Sequence, residues 1–151
     1  MSLVSVLMAV WNPHPEWLLQ AVRGVLGQQG CEIELVVVDD GCPEPVERLL
    51  EPVASERLRV VRVEHGGECR ARNAGIAAAR GDYIRFADAD DLFEPTGTAE
   101  LLALTGGRDD VIAYGATSFC DEQLQPLWTM KSRVEGDAVV PCLLGAFTIR
   151  P

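Results

Sequence analysis

Tyr83-Ile84-Arg85-Phe86-Ala87-Asp88-Ala89-Asp90-Asp91 is a short, largely apolar stretch that ends abruptly in three carboxylates within four residues. The apolar part predicts a buried strand over Asp82–Ala87. Carboxylates crowded at one strand end repel each other. They are tolerated if they face water, or if a divalent cation neutralises them. Hard cations such as Mg²⁺ and Mn²⁺ take oxygen ligands, often one or two carboxylates plus substrate phosphates. Two readings follow from these residues alone: a metal–diphosphate site, or an acidic loop in which Asp91 caps a helix starting near Pro95.

Working outward, the same grammar repeats. Leu3–Val10 is a near-continuous apolar run, as in a strand buried on both faces. Asn12-Pro13-His14-Pro15 breaks it. Trp17, Leu18, Ala21, Val22, Val25 and Leu26 then recur at helical spacing, with Gly30 available for a left-handed exit. Ile33–Val38 is a second buried strand, and it too ends in carboxylates, Asp39-Asp40-Gly41. A helix over Pro45–Ala54, shortened by Pro52, precedes a third strand over Leu58–Val63. Glu64-His65-Gly66-Gly67 reads as a flexible turn, and the alanine-rich Arg70–Arg80 as a helix. Beyond the acidic cluster the pattern predicts a helix over Thr98–Leu104, a strand over Val111–Thr117 and an edge hairpin within Asp121–Val134. A short helix over Asp137–Leu144 and a last strand over Ala146–Ile149 complete it.

Alternating strands and helices with apolar strands imply an α/β fold: a mostly parallel sheet with helices on both faces. Ligands in such sheets bind at the carboxyl ends of the strands, at a topological switch point. Asp39-Asp40, Asp88-Ala89-Asp90 and Trp11-Asn12 all fall at such ends. Their convergence favours the metal–diphosphate reading.

The 151 residues suffice for one domain with a real core. A net charge of −10 argues against nucleic-acid or anionic-membrane partners. No apolar run reaches the ~20 residues of a transmembrane segment. The first ten residues lack the basic leader and cleavage site of a signal peptide. Five cysteines, an odd number without a CxxC pair, fit reduced thiols and a cytoplasmic location.

Val4–Asn12 (VSVLMAVWN), Glu34–Cys42 (ELVVVDDGC), Cys69–Gly75 (CRARNAG) and Gly81–Leu92 (GDYIRFADADDL) together resemble, in order and spacing, the family 2 glycosyltransferases. The resemblance covers residues 3 to 117. It implies the GT-A fold, a Rossmann-like nucleotide-sugar-binding sheet. It further implies that Val10 and Trp11 border the nucleotide base, with Trp11 standing where the family usually has Tyr. Asp40 would accept a hydrogen bond from uracil, although Asp39 could do so instead or cap the following helix. Cys42 replaces a usual Ser and puts a hydroxyl hydrogen bond at that turn in question. Arg72 would face the donor pocket. Asp88 would contact the ribose or a metal-bound water, and Asp90 would bind Mn²⁺ or Mg²⁺. Arg85 is unusual in its strand and receives no role.

The implied reaction moves a sugar, with inversion, from a nucleotide-diphospho-sugar, UDP-linked by this reading, to a carbohydrate or lipid-linked acceptor hydroxyl. The base for that hydroxyl would lie beyond the D-x-D strand. Asp121-Glu122 come too early for it, and Asp137 lies on the wrong side of the final strand. The sequence therefore reads as one GT-A domain, residues 1–151, shortened before an acceptor-binding half. A free edge strand would offer a homodimer contact. The alternatives are a non-catalytic nucleotide-sugar-binding module and a nucleotidyltransferase, although Val10-Trp11-Asn12-Pro13 is not the Gly- and Arg-rich loop the latter uses.

Overall fold

A computed structural model describes residues 2–121 and 123–130. The chain divides into two compact units, Met1–Ala113 and a second that opens at Tyr114. The first unit runs β1 (Leu3–Val10), α1 (Pro15–Leu26), β2 (Glu32–Asp40), α2 (Val46–Leu50), a 3₁₀ turn (Glu51–Val53), β3 (Leu58–Val63), α3 (Glu68–Ala78), β4 (Tyr83–Ala87) and α4 (Gly97–Leu104).

The four strands form one parallel sheet in the order β3-β2-β1-β4. The chain winds outward from β1 through β2 to β3, then crosses back to the other side of β1. The switch point therefore lies between β1 and β4, where ligands bind in open α/β sheets.

Period-two alternation divides the core between the two faces. Val4, Val6, Met8 and Val10 of β1, with Ile33, Leu35 and Val37 of β2, pack against Leu18, Ala21, Val22 and Val25 of α1 and Val46 and Leu50 of α2. Leu7, Val36 and Val38 face the other way, onto Ala71 of α3. That helix approaches closely because it is built from small residues: a Cβ at Gly75 would sit 3.2 Å from Val38 Cγ2. Full burial of each such aliphatic side chain is worth about 1.5–3 kcal/mol. A helix-covered parallel sheet thus follows from strands that are apolar on both faces.

Four expectations change. Trp17 does not join the core but is 57% exposed. Residues 111–116 form no strand; Ile112 is 86% exposed, and an apolar run becomes a strand only where another strand pairs with it. The hairpin forms, but as its own antiparallel sheet of β5 (Thr117–Cys120) and β6 (Pro126–Met130), not as an addition to the parallel sheet. Asp121 Oδ1 accepts the Gln123 and Gln125 N–H groups and closes that turn, while Phe119 and Trp128 stack at 4.1 Å. Finally, α4 starts at Gly97 behind Thr96, so Asp91 does not cap it. The helix and strand expected over 137–149 lie outside the described residues. Among the described residues, no helix is long and apolar enough to cross a membrane, and Cys31, Cys42, Cys69 and Cys120 are free thiols.

Candidate donor-binding cleft

The carboxyl ends of β1 and β4, with the neighbouring end of β2, enclose a cleft of about 530 Å³. Val10, Trp11, Asp40, Asp88 and Asp90 line it, together with His14, Trp17 and Glu68. Five of the six residues singled out in the sequence thus meet in one cavity. The sixth, Arg72, reaches it through its partners: its Nη2 lies 3.0 Å from Asp88 Oδ1 and 2.5 Å from Glu68 Oε1. Its guanidinium also stands 5.3 Å from the Phe86 ring centroid.

The two acids ending β2 part company because alternate residues face opposite sides of a strand. Asp39 is 1% exposed. Its carboxylate accepts the N–H of Cys42 at 2.8 Å and of Val46, the first residue of α2, at 3.1 Å, and Arg62 Nη1 lies at 2.9 Å. Burial pushes its pKa up, but these donors outweigh it and hold the carboxyl below the usual carboxylate range. Asp39 is therefore the anchor of the β2–α2 turn, and Asp40 the acid that faces the cleft. Asp40 Oδ1 and Oδ2 accept the N–H groups of Gly66 and Gly67, each at 2.9 Å. The turn read as flexible is tied to β2 by these bonds.

Cys42 answers the question raised by its replacement of Ser. Asn12 N–H donates to its Sγ at 3.3 Å, and the thiol donates to Val10 O at 3.5 Å. A sulfur thus joins the β1 and β2 exits, and holds Asn12 in its left-handed conformation of φ 46° beside Trp11. Burial raises the thiol's pKa, which makes it an inert clip, not a nucleophile.

The acidic end of β4 is built differently. Asp91 N–H closes a turn onto Asp88 O at 3.3 Å. Asp88 has Arg72, whereas among the described residues no hydrogen bond or ion pair reaches the Asp90 carboxylate. Burial, then the charges of Asp88 and Asp90, push the Asp91 carboxyl above its ordinary value. Arg85 braces this loop from behind: it donates to Thr98 Oγ1 at 2.5 Å and lies 3.6 Å over the Phe93 ring. Thr98 in turn bonds Gln28 of the α1–β2 connection through both its N–H and its hydroxyl.

Among the described residues, no Lys or Arg lines the cleft, while four acids do. A diphosphate entering it meets net negative charge, so it enters most favourably with a cation. Among the described residues, no three His, Cys, Asp or Glu side chains form a metal cage. One open carboxylate of hard-oxygen type, in an acid-rich and electrostatically unrelieved loop, fits a cation that arrives with phosphate oxygens and keeps several waters.

Sequence reasoning missed His65, Cys42 as a bridge, Glu68, and the His14–Trp17 ring pair at 4.8 Å on the cleft wall. An aromatic residue next to a Pro-rich break at a strand's carboxyl end was the available signal for the last.

The model of the family described as Glycosyl transferase family 2 matches residues 5–142. Among curated proteins, the uncharacterised glycosyltransferase EpsJ of Bacillus subtilis is 38% identical over 91 residues, which are 59% of this chain and 26% of EpsJ. An uncharacterised glycosyltransferase of Haemophilus influenzae is 31% identical over 124 residues, 80% of this chain and 49% of the relative. The chain thus spans between about a quarter and a half of these relatives' lengths. Among solved structures, residues 1–349 of Staphylococcus aureus TarS in complex with UDP-GlcNAc superpose with a TM-score of 0.61 at 24% identity, covering 68% of this chain and 31% of that one. The same protein in complex with UDP gives 0.60, also at 24% identity, covering 68% of this chain and 32% of that one. The fold is that of these GT-A structures.

Proposed function

The chain belongs to glycosyl transferase family 2, and from that premise we propose that its cleft binds a nucleotide-diphospho-sugar, UDP-linked, with a divalent cation, for inverting transfer of the sugar to an acceptor hydroxyl. The observation that carries this reading is the acid-lined cleft at the β1/β4 switch point, free of Arg and Lys and with the Asp90 carboxylate open among the described residues. The TarS complexes with UDP and UDP-GlcNAc support the choice of donor.

Each chain residue has a task. Val10 and Trp11 border the base, and the exposed indole gives it a flat apolar surface. Asp40, an ionised acceptor-only group, takes the uracil ring N–H. Arg72 holds Asp88 in place, with Asp88 toward the ribose. Asp90 would be the cation's protein ligand, and Asp88 would hold one of its waters. A bound divalent cation neutralises charge on the diphosphate as it leaves. The rigid strand ends orient the sugar relative to that diphosphate, which is what positioning contributes to rate.

A second reading, donor binding without turnover, is favoured by one observation. Asp40 is held by Gly66 and Gly67, Glu68 and Asp88 by Arg72, and Asp90 is reserved for the cation, so among the described residues no cleft-lining acid stands free as a base.

Calorimetric titration of UDP with Mn²⁺, with EDTA, and on Asp90→Ala tests the donor site. Manganese-dependent binding that is lost in the variant is expected. No binding under any condition contradicts it. Hydrolysis or transfer of UDP-sugars separates the enzyme from the module.

A further inference from the structure

We infer that His65 is a positioning residue that sets the base preference of the donor pocket, by locking Trp11 and Asp40 into one arrangement. This rests on the proposed donor site and deepens it.

His65 is not among the cleft-lining residues, yet it touches two of the three residues assigned to the base, Trp11 and Asp40. Its ring stacks on Trp11 with centroids 5.1 Å apart and planes 30° from parallel. Its Nδ1 lies 3.0 Å from Asp40 Oδ2 and 3.0 Å from Asp40 O. Both are acceptors, so Nδ1 carries the proton and donates. With the N–H groups of Gly66 and Gly67, three consecutive residues thus grip one carboxylate.

The opposite turn makes room for the backbone that carries this ring. Gly41 has φ +72°, and a Cβ there would lie 2.7 Å from His65 N and 3.0 Å from His65 Cβ. Trp11 is 57% exposed and the His65 side chain 55%, while the Asp40 side chain is 3% exposed. An indole left half in water, but fixed by a stacked imidazole that also fixes the neighbouring acid, is preorganised for a planar partner. Preorganisation lowers the ordering cost of binding.

The chemistry defines the partner. A fixed carboxylate beside a flat ring selects a base with a ring N–H, such as uracil. It disfavours cytosine, whose matching nitrogen is an acceptor. Uniform loosening of the loop would weaken both nucleotides alike, whereas loss of the Asp40 lock weakens the N–H base selectively.

The test is calorimetric titration of UDP and of CDP, each with Mn²⁺, into the full chain and into His65→Ala, His65→Asn and His65→Phe, with melting temperatures recorded. His65→Ala is expected to lower UDP affinity about tenfold and CDP affinity by no more than about threefold, the scale of one charged hydrogen bond plus a ring contact. His65→Asn, which keeps an amide N–H toward Asp40, recovers most of the UDP preference. His65→Phe keeps the Trp11 stack, read by indole fluorescence, but not the preference. Equal losses for UDP and CDP, or none, in the folded His65→Ala and His65→Phe variants overturn the proposal alone. Failure of the unaltered chain to bind UDP overturns the donor-site reading, and this inference with it.

Discussion

Two parallel strands of one sheet end in acidic clusters, and the two ends are built to opposite specifications. At the end of β2, Asp39 and Asp40 are almost wholly buried and every carboxylate oxygen has donors: four backbone N–H groups, Arg62 and His65. At the end of β4, Asp88 has Arg72, Asp90 has no partner among the described residues, and Asp91 is held above its ordinary pKa by burial and its neighbours. The first end is well supplied with donors and holds turns together, with acceptor capacity left on Asp40 toward the cleft. The second is left electrostatically unfinished. The Asp88, Asp90 and Asp91 side chains are exposed and solvated, so it is the concentration of like charge at a switch point, with one charge partner among the described residues, that points to a ligand.

The largest effect that could break this contrast is on Asp39. Asp39→Ala should cost about 3 kcal/mol or more in urea unfolding, since it strands two buried N–H groups and Arg62. The carboxyl is held below its ordinary range, so its stabilising contribution is full above that range and is lost as pH falls through the lowered folded value. Asp39→Asn should accordingly flatten the acid limb of the stability curve. A loss under about 1 kcal/mol would remove the distinction between the two ends.

The next effect sharpens the comparison by loosening the scaffold of the second end. Arg85→Met removes the bond to Thr98 and the cation–π contact with Phe93, and should cost about 1–2 kcal/mol. It should also weaken Mn²⁺-dependent UDP binding although Arg85 is not a cleft-lining residue. Unchanged binding would show that the loop holds itself.

Asp91→Asn gives the opposite sign. A carboxyl with a raised folded pKa contributes stability below its ordinary pKa and loses it as pH rises through the folded value. At neutral pH, removing its charge should therefore stabilise the chain, by about a few tenths of a kcal/mol once solvent screening is allowed for. The gain should vanish at pH 3, where the group is already neutral. Cys42→Ser should be smaller still, because a hydroxyl can make both contacts of the thiol.

Much of this was legible in the residues. The strands and helices of the first unit, the parallel sheet and the convergence of Trp11, Asp40, Asp88 and Asp90 follow from apolar runs and the carboxylates that end them. Other features were not legible, for physical reasons. Val111–Thr117 has the composition of a strand, but composition reports a tendency and pairing needs a neighbour. Arg85 and His65 take their roles from groups 13 and 25 residues away in sequence. Such contacts exist only once β4 meets α4 and β2 meets the turn before α3. The division of labour between Asp39 and Asp40 rests on a one-residue difference in strand facing, which adjacent acids in a sequence do not reveal.

The central claim, that the second acidic end and not the first awaits a cation with a diphosphate, is tested most directly by electron paramagnetic resonance of Mn²⁺. The free-ion signal should fall when the chain and UDP are added together, beyond what UDP alone takes up, and this extra loss should disappear in Asp90→Asn while its melting temperature stays put. Equal signal loss in the unaltered chain and in Asp90→Asn would contradict the account.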